Sequence, residues 1–441
     1  MNFAASVEIL KLDSHGVEEA HKISSGTYIR LIQQLKGRPL FPQLKRLYIE
    51  NYHGLVDYFS LFLSSNLQTI QLFNTQPLEK PGAISPVVLE SLLCDFSEWS
   101  PGVQLLRITQ DTTMPISLLD SISLLSNLRT LDLALVQVGS FEEFRPLAPL
   151  VLESFTLKLS CSSYTRLPNP ITPLPDFLAS LERLHISGPL IAVSDFVRSL
   201  GSQHLTSLVV RDEDIFSPRW DQRRKGKKSS TLTEAEGVKH QMYDFGSMVH
   251  TISLRWGHFL RTVTIASSCN ARVDFAQLSG MPLLEKLCIF DCPVDGLEHT
   301  LKPSAVWYYL DTLHLTVTIT FPLLSLIALS APHLKRLGIS IDTSEAPPTE
   351  NRQILAHPLN LLRIHDPSSG VSCWSASDFS ELPRFIQIAR YLDALFPTMK
   401  ELTSTSQIKT WETVWQLIVL CQTSRADDNC RRPVQTEFEV V

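Results

Sequence analysis

Read for the alternation of apolar and polar positions, the chain repeats one six-residue phrase: apolar, two variable, apolar, one variable, apolar. Thirteen copies begin at Val7 (VEILKL), Leu44 (LKRLYI), Leu67 (LQTIQL), Val103 (VQLLRI), Leu128 (LRTLDL), Leu152 (LESFTL), Leu181 (LERLHI), Leu205 (LTSLVV), Leu260 (LRTVTI), Leu284 (LEKLCI), Leu310 (LDTLHL), Leu334 (LKRLGI) and Leu359 (LNLLRI). The phrase alone decides little in an apolar-rich chain. The spacing decides, because eight of the twelve intervals between starts fall at 23–26 residues, whereas chance would scatter them.

The second and third apolar residues of each phrase are two apart, so a short strand would bury them on one face and show the intervening residues on the other. Leu287, Leu313 and Leu315 are expected inward and His314 outward. One such strand has no core of its own; it is stable only beside its neighbours in a parallel sheet. About three buried apolar side chains per repeat, at roughly 1.5–3 kcal/mol each, must offset about 1–2 kcal/mol of backbone entropy per ordered residue. The segments returning from strand to strand therefore have to pack as well.

Those segments carry helical spacing. Tyr28, Leu31, Ile32 and Leu35 form a stripe after Ser24 and Ser25 that stops at Gly37, and 323–330 follows Pro322 and precedes Pro332. The fold class expected is α/β: a leucine-rich-repeat solenoid over 1–405, with a curved parallel sheet on the concave face and helices and irregular segments on the convex face. The polar stretch 211–237 in the longest interval is expected to be an exposed insertion. A stripe of Trp411, Val414, Trp415 and Ile418 predicts a capping helix over 406–425, with a disordered tail over 426–441. The repeat consensus places Asn or Cys eight residues after the first apolar position, and of the thirteen copies only that at Leu284 complies, with Cys292. Most turns must be held by other means.

Composition narrows the function classes. A balance of 39 Lys and Arg against 45 Asp and Glu, formally −6, is too mild and of the wrong sign for general nucleic-acid binding. No apolar run reaches the roughly 18 residues of a membrane span, and the opening MNFAASVEIL has neither the charged start nor the apolar stretch of a signal peptide. The eight cysteines are scattered without repeated CxxC pairs, and there is no Asn-x-Ser/Thr sequon. A cytoplasmic protein is expected. The cluster Arg223, Arg224, Lys225, Lys227 and Lys228 reads either as a solvated loop or as a site for an import receptor or acidic partner, which would add the nucleus.

Chemistry-bearing motifs are sparse. There is no P-loop, GxGxxG, GxSxG or HExxH, so neither a cofactor nor an enzyme is expected. Cys288 and Cys292 are the closest cysteine pair, but they sit at a strand position and a turn position, and a metal would need two more ligands. His185 and His314, at the same strand position as Cys288, read as lone surface histidines.

The phrase with its flanks, FPQLKRLYI, SNLRTLDL, MPLLEKLCI and APHLKRLGI, resembles the repeat half of fungal F-box proteins, notably a large mushroom group. In that group the array often ends on valine or isoleucine, alanine and then YL–LFP, matched here by Ile388, Ala389, Tyr391, Leu392, Leu395, Phe396 and Pro397. The likeness spans most of 1–420. It implies a substrate receptor of an SCF-type ubiquitin ligase, in which the repeats hold a protein target and an N-terminal F-box docks the adaptor. The sequence departs from that pattern, because a repeat phrase starts at Val7 and leaves no room before it for an F-box. ELPRF at 381–385 looks like an F-box opening but runs straight into the YL–LFP element. Adaptor binding is thus expected only with an F-box upstream; the alternative is a stand-alone repeat scaffold with no ligase link.

Counting two, four and six places from each start gives the outward residues. Their charged members are Lys11, Arg46, Arg107, Lys158, Arg183, Arg211, Lys286, Arg336 and Arg363 against Asp13, Glu50 and Asp132. That face is more basic than the molecule. Either these charges merely keep an exposed sheet soluble, or an acidic or phosphorylated protein segment lies along it. In the second case Arg46, Arg107, Arg183, Lys286, Arg336 and Arg363 would grip the anions, with Tyr48, Phe73, His185, Phe290 and His314 supplying the remaining contact.

Overall fold

The computed structural model of the chain describes residues 6–13, 25–36, 38–50, 61–74, 86–110, 113–160, 176–212, 245–267, 272–301, 307–348, 355, 357–365, 382–405 and 408–431. They divide into two compact units, Met1–Trp256 and Gly257–Val441.

In the first unit, eight strands pair in parallel in chain order: β1 Ile9–Asp13, β2 Arg46–Glu50, β3 Thr69–Asn74, β4 Leu105–Gln110, β5 Thr130–Gln137, β6 Ser154–Ser160, β7 Arg183–Gly188 and β8 Ser207–Asp212. Equivalent phrase positions face each other, as in Leu47↔Ile70↔Leu106↔Leu131↔Phe155. All five are fully buried. A backbone ladder fixes this register. The carbonyl of the second phrase residue accepts two N–H groups from the next repeat, as when Lys45 accepts from Gln68 and Thr69, and Gln104 from Arg129 and Thr130.

The return segments form the second layer. In helix Pro86–Trp99 the apolar residues Leu89, Leu92, Leu93 and Phe96 recur at helical spacing and are 0–4% exposed. That helix touches Leu118–Ser123, which touches the 3-10 segment Phe141–Leu147, which touches helix Leu190–Ser199. Beneath them Phe141, Phe144, Phe155 and Phe177 surround Phe196 at ring distances of 5.0–6.1 Å, mostly edge to face. The expected helix at the N-terminal end spans Ser25–Leu35, yet its stripe is only partly covered: Leu31 and Leu35 are half-buried and Ile32 is exposed. At Gly188, φ is +145° and an added Cβ would lie 2.6 Å from that of Leu159, so a side chain is excluded there.

The second unit repeats the plan with β9 Thr262–Ser267, β11 Lys286–Phe290, β13 Thr312–Ile319, β14 Arg336–Ile341, β15 Leu361–Ile364 and β16 Glu401–Ser404, again parallel and adjacent in that order. A two-residue pair, β10 Val273–Asp274 with β12 Val294–Asp295, lies outside that sheet. The expected inward residues Leu287, Leu313 and Leu315 have no exposed surface. The expected return helix is Phe321–Ser330. Tyr391, in helix Leu382–Leu395, ties to it by donating its hydroxyl to the Phe321 carbonyl. Residues 382–385 of the ELPRF segment begin that same helix.

Two boundaries are corrected. The insertion expected from 211 cannot begin before residue 213, because Arg211 and Asp212 pair with Ser187 and Gly188 in the β7–β8 ladder. Residues 213–244, with the whole basic cluster, lie outside the described residues. The terminal helix spans Ile408–Arg431 instead of ending at 425. Arg425, where the expected tail sets in, is held by an ion pair to the mostly buried Asp393, which carries the helix on. Trp411, Val414 and Ile418 are buried where this helix packs on β16 and on helix Leu382–Leu395.

Candidate functional site

The pairing register sets the outward residues in straight rows across each sheet. In the first unit one row includes Arg46, Thr69, Leu105, Thr130, Ser154 and Arg183; the next includes Lys11, Tyr48, Gln71, Arg107, Asp132, Thr156 and His185. Phe73 stands beside Glu50 in the third row, and Lys158 beside Ser187, which pairs with Arg211. Tyr48, Phe73 and His185 are half-buried. Charges here meet across strands: Lys11 reaches Glu50 at 2.8 Å and Arg107 reaches its register partner Asp132 at 2.5 Å. Such exposed pairs contribute about 0–1 kcal/mol each, but they cancel the local field. Asp13, the third acid expected on the face, pairs with Glu50 in the backbone register; its side chain is outside the described set.

In the second unit the first row runs Thr262, Lys286, Thr312, Arg336, Leu361 and Glu401, and the second Thr264, Cys288, His314, Gly338, Arg363 and Thr403. Lys286, Arg336 and Arg363 are exposed. Among the described residues Lys286 and Arg363 make no ion pair, and Arg336 makes one long contact, 3.6 Å to Asp311.

His314 is not the lone surface histidine expected. Its ring lies across Gly338 and stacks on His365 at 4.4 Å and 21°, and it meets the Phe290 ring edge to face with centroids 4.5 Å apart. A Cβ at position 338 would come within 3.0 Å of His314 Cγ, so this arrangement needs glycine on the neighbouring strand. Burial, then the neighbouring His365, Arg363 and Lys286, push the His314 pKa down to about 4. The ring is therefore neutral at physiological pH. Burial also lowers His365, with Arg363 adding to it. The Nε2 atoms of both rings are buried without a hydrogen-bond partner among the described residues.

The two cysteines have local roles. Burial raises the Cys288 thiol pKa, partly offset by Lys286, by a hydrogen bond with Thr264 and by Arg336. That thiol is neutral and a poor nucleophile. Cys292, at the consensus turn position, donates its Sγ–H to the Phe290 carbonyl at 3.1 Å. Among the described residues no three His, Cys, Asp or Glu side chains are grouped to hold a metal, and no helix is long and apolar enough to cross a membrane.

Sequence reasoning missed how the other turns are held. Side chains just before a phrase reach back to the preceding repeat. Asn66 donates to the Pro42 carbonyl at 2.9 Å, Asn127 to Pro101 at 2.8 Å and Ser180 to Leu152 at 3.0 Å. His357 does the same from a buried site, with Nε2 against the Ala331 carbonyl at 3.0 Å while Nδ1 accepts from the Leu359 N–H at 3.3 Å. The signal was a polar residue within the two positions before the first leucine of a phrase.

Parallel strands stacked in phrase register, with apolar return segments packed behind them among the described residues, define a leucine-rich-repeat protein. Its chain is similar in fold to an internalin from Listeria monocytogenes, at 13% identity and a TM-score of 0.40, over 88% of this chain and 92% of that one. It is also similar to a chain of the mouse RP105/MD-1 complex (13%, 0.29, over 85% and 70%) and to one of the Drosophila Toll–Spatzle complex (11%, 0.18, over 89% and 60%). Likeness this distant concerns the fold alone, and the assignment rests on the repeat register. No family model and no curated protein matches the chain.

Proposed function

We propose that the chain is a non-enzymatic protein-recognition module that holds a protein target on the outward face of its sheet. The observation that carries this reading is the register. From β2 to β15 the inward positions of the main strands are apolar and buried, while the outward ones hold varied charged, aromatic and imidazole side chains in straight rows. In the finer reading, taken from the resemblance to fungal F-box proteins, the repeats form the target-holding half of a ubiquitin-ligase substrate receptor, and an adaptor joins only through an F-box on the same polypeptide. Recovery of partners on the full chain from its native cells tests both levels. Charge reversal at Arg183, Lys286 and Arg336 together should reduce recovery of the target and weaken its salt dependence, with an unchanged melting temperature. Undiminished recovery by the folded triple variant would overturn the outward-face reading. Recovery of an adaptor with the target would support the ligase link; a target without one would favour a stand-alone scaffold.

A further inference from the structure

The two units offer different outward faces, and the second carries a patch whose chemistry can be specified. Lys286 and Arg336 share a row two strands apart, about 10 Å at the usual strand separation, and Arg363 follows on the next strand in the next row. Between them Gly338 removes one side chain from the face, and the His314–His365 stack fills the floor of that notch. The rim is cationic and the floor flat and neutral, with two unpartnered imidazole nitrogens. The nearby acids are Glu285, which precedes Lys286 and pairs with Arg261 at 2.8 Å, Asp311, 3.6 Å from Arg336, and Glu401 at the end of the first row.

We propose that this patch seats an acidic segment of a partner protein, which crosses the strands over Gly338 and sets carboxylates against Lys286, Arg336 and Arg363. Charge complementarity selects the occupant, and the spacing selects its form. An extended peptide advances about 3.3 Å per residue, so carboxylates three residues apart match the separation of Lys286 and Arg336. A single phosphoryl group would need its cations converging on one point; here they come from three strands and two rows. The floor supplies specificity, because a neutral imidazole stack takes backbone or uncharged side chains without adding charge. This inference rests on the reading of the outward face as a recognition surface.

The test uses the full chain and short fluorescent peptides with a Gly/Ser background: one with Glu at every third position, one with Gln there, and one with a single phosphoserine. The Glu peptide should bind at least about tenfold more tightly than the Gln peptide. Lys286→Glu with Arg363→Glu should abolish that preference, and Gly338→Ala, which displaces His314 without changing charge, should weaken binding several-fold. Lys45→Glu with Arg129→Glu, two cations of the first unit outside its outward rows, should leave it unchanged. Thermal melts check folding, and Lys286→Gln with Arg363→Gln replaces any reversal variant that fails to fold. Equal binding of the Glu and Gln peptides, equal loss on reversing either unit's charges, or tighter binding of the phosphoserine peptide would overturn the inference. Peptide failure alongside weakened target recovery by the Arg183, Lys286 and Arg336 reversal would sink only this inference; undiminished recovery would sink the recognition reading itself.

Discussion

The two units share their inward positions and differ in their outward ones. Leu131 in β5 and Leu313 in β13 occupy the same phrase position, and neither exposes any surface. One place further on, Asp132 meets Arg107 in an ion pair, whereas His314 folds over a glycine onto a second histidine. The stack constrains what points in, because a lost methyl leaves a void between layers. It leaves what points out free to vary, and there the first unit pairs Lys11 with Glu50 and Arg107 with Asp132 while the second leaves Lys286 and Arg363 without an ion pair among the described residues. Position within the phrase therefore separates the residues that build the repeat from those available for recognition.

The largest expected effect lies on the shared side. Leu131→Ala and Leu313→Ala should each cost about 2–5 kcal/mol, measured by denaturant unfolding, since each leaves a cavity under a fully buried strand. A loss below about 1 kcal/mol in either unit would break the equivalence of the inward positions. Next comes acid. Three histidines with lowered pKa values, His314, His357 and His365, lie in the second unit. The folded His314 pKa of about 4 is below the ordinary 6.5, so the unfolded chain takes up its proton first. The stabilisation is present above about pH 6.5 and is lost as the pH falls toward 4. Half-exposure and screening reduce its size to about 1 kcal/mol. His314→Gln should flatten the dependence of melting temperature on pH between 6.5 and 4; an unaltered slope would show that the stacked ring is not what titrates. The smallest effect on stability is expected for Asp132→Asn, about 0–1 kcal/mol. If pairing is what silences the first unit, this change should also give that face measurable affinity for the Glu peptide, and its failure to do so would place the difference in the imidazole floor instead of the charge balance.

The fold was legible because the phrase is a direct image of the strand: apolar positions two apart went inward, and Lys286, Arg336 and Arg363 landed outward as counted. What escaped the sequence depended on contacts between repeats. The last strand was missed because Ser404 replaces the third apolar residue beside the terminal helix, so the phrase test fails there although Met399 and Leu402 fit it. The surroundings of His314 depend on Gly338 and His365, 24 and 51 positions away, which become neighbours only once three strands are aligned. The hydrogen bonds of Asn66, Asn127 and His357 reach back across one repeat and replace the consensus asparagine, a substitution that a motif scan centred on that asparagine cannot see.

Whether the outward face is where a partner sits can be measured by site-specific photo-crosslinking in native extract. A photoreactive residue would replace Phe290 or Tyr48 on the sheet and, as the contrast, Val87, which is 70% exposed on the return helix Pro86–Trp99. Crosslinks to one and the same protein from position 290 or 48 and none from 87 are the predicted result; that protein captured from 87 alone would contradict the account.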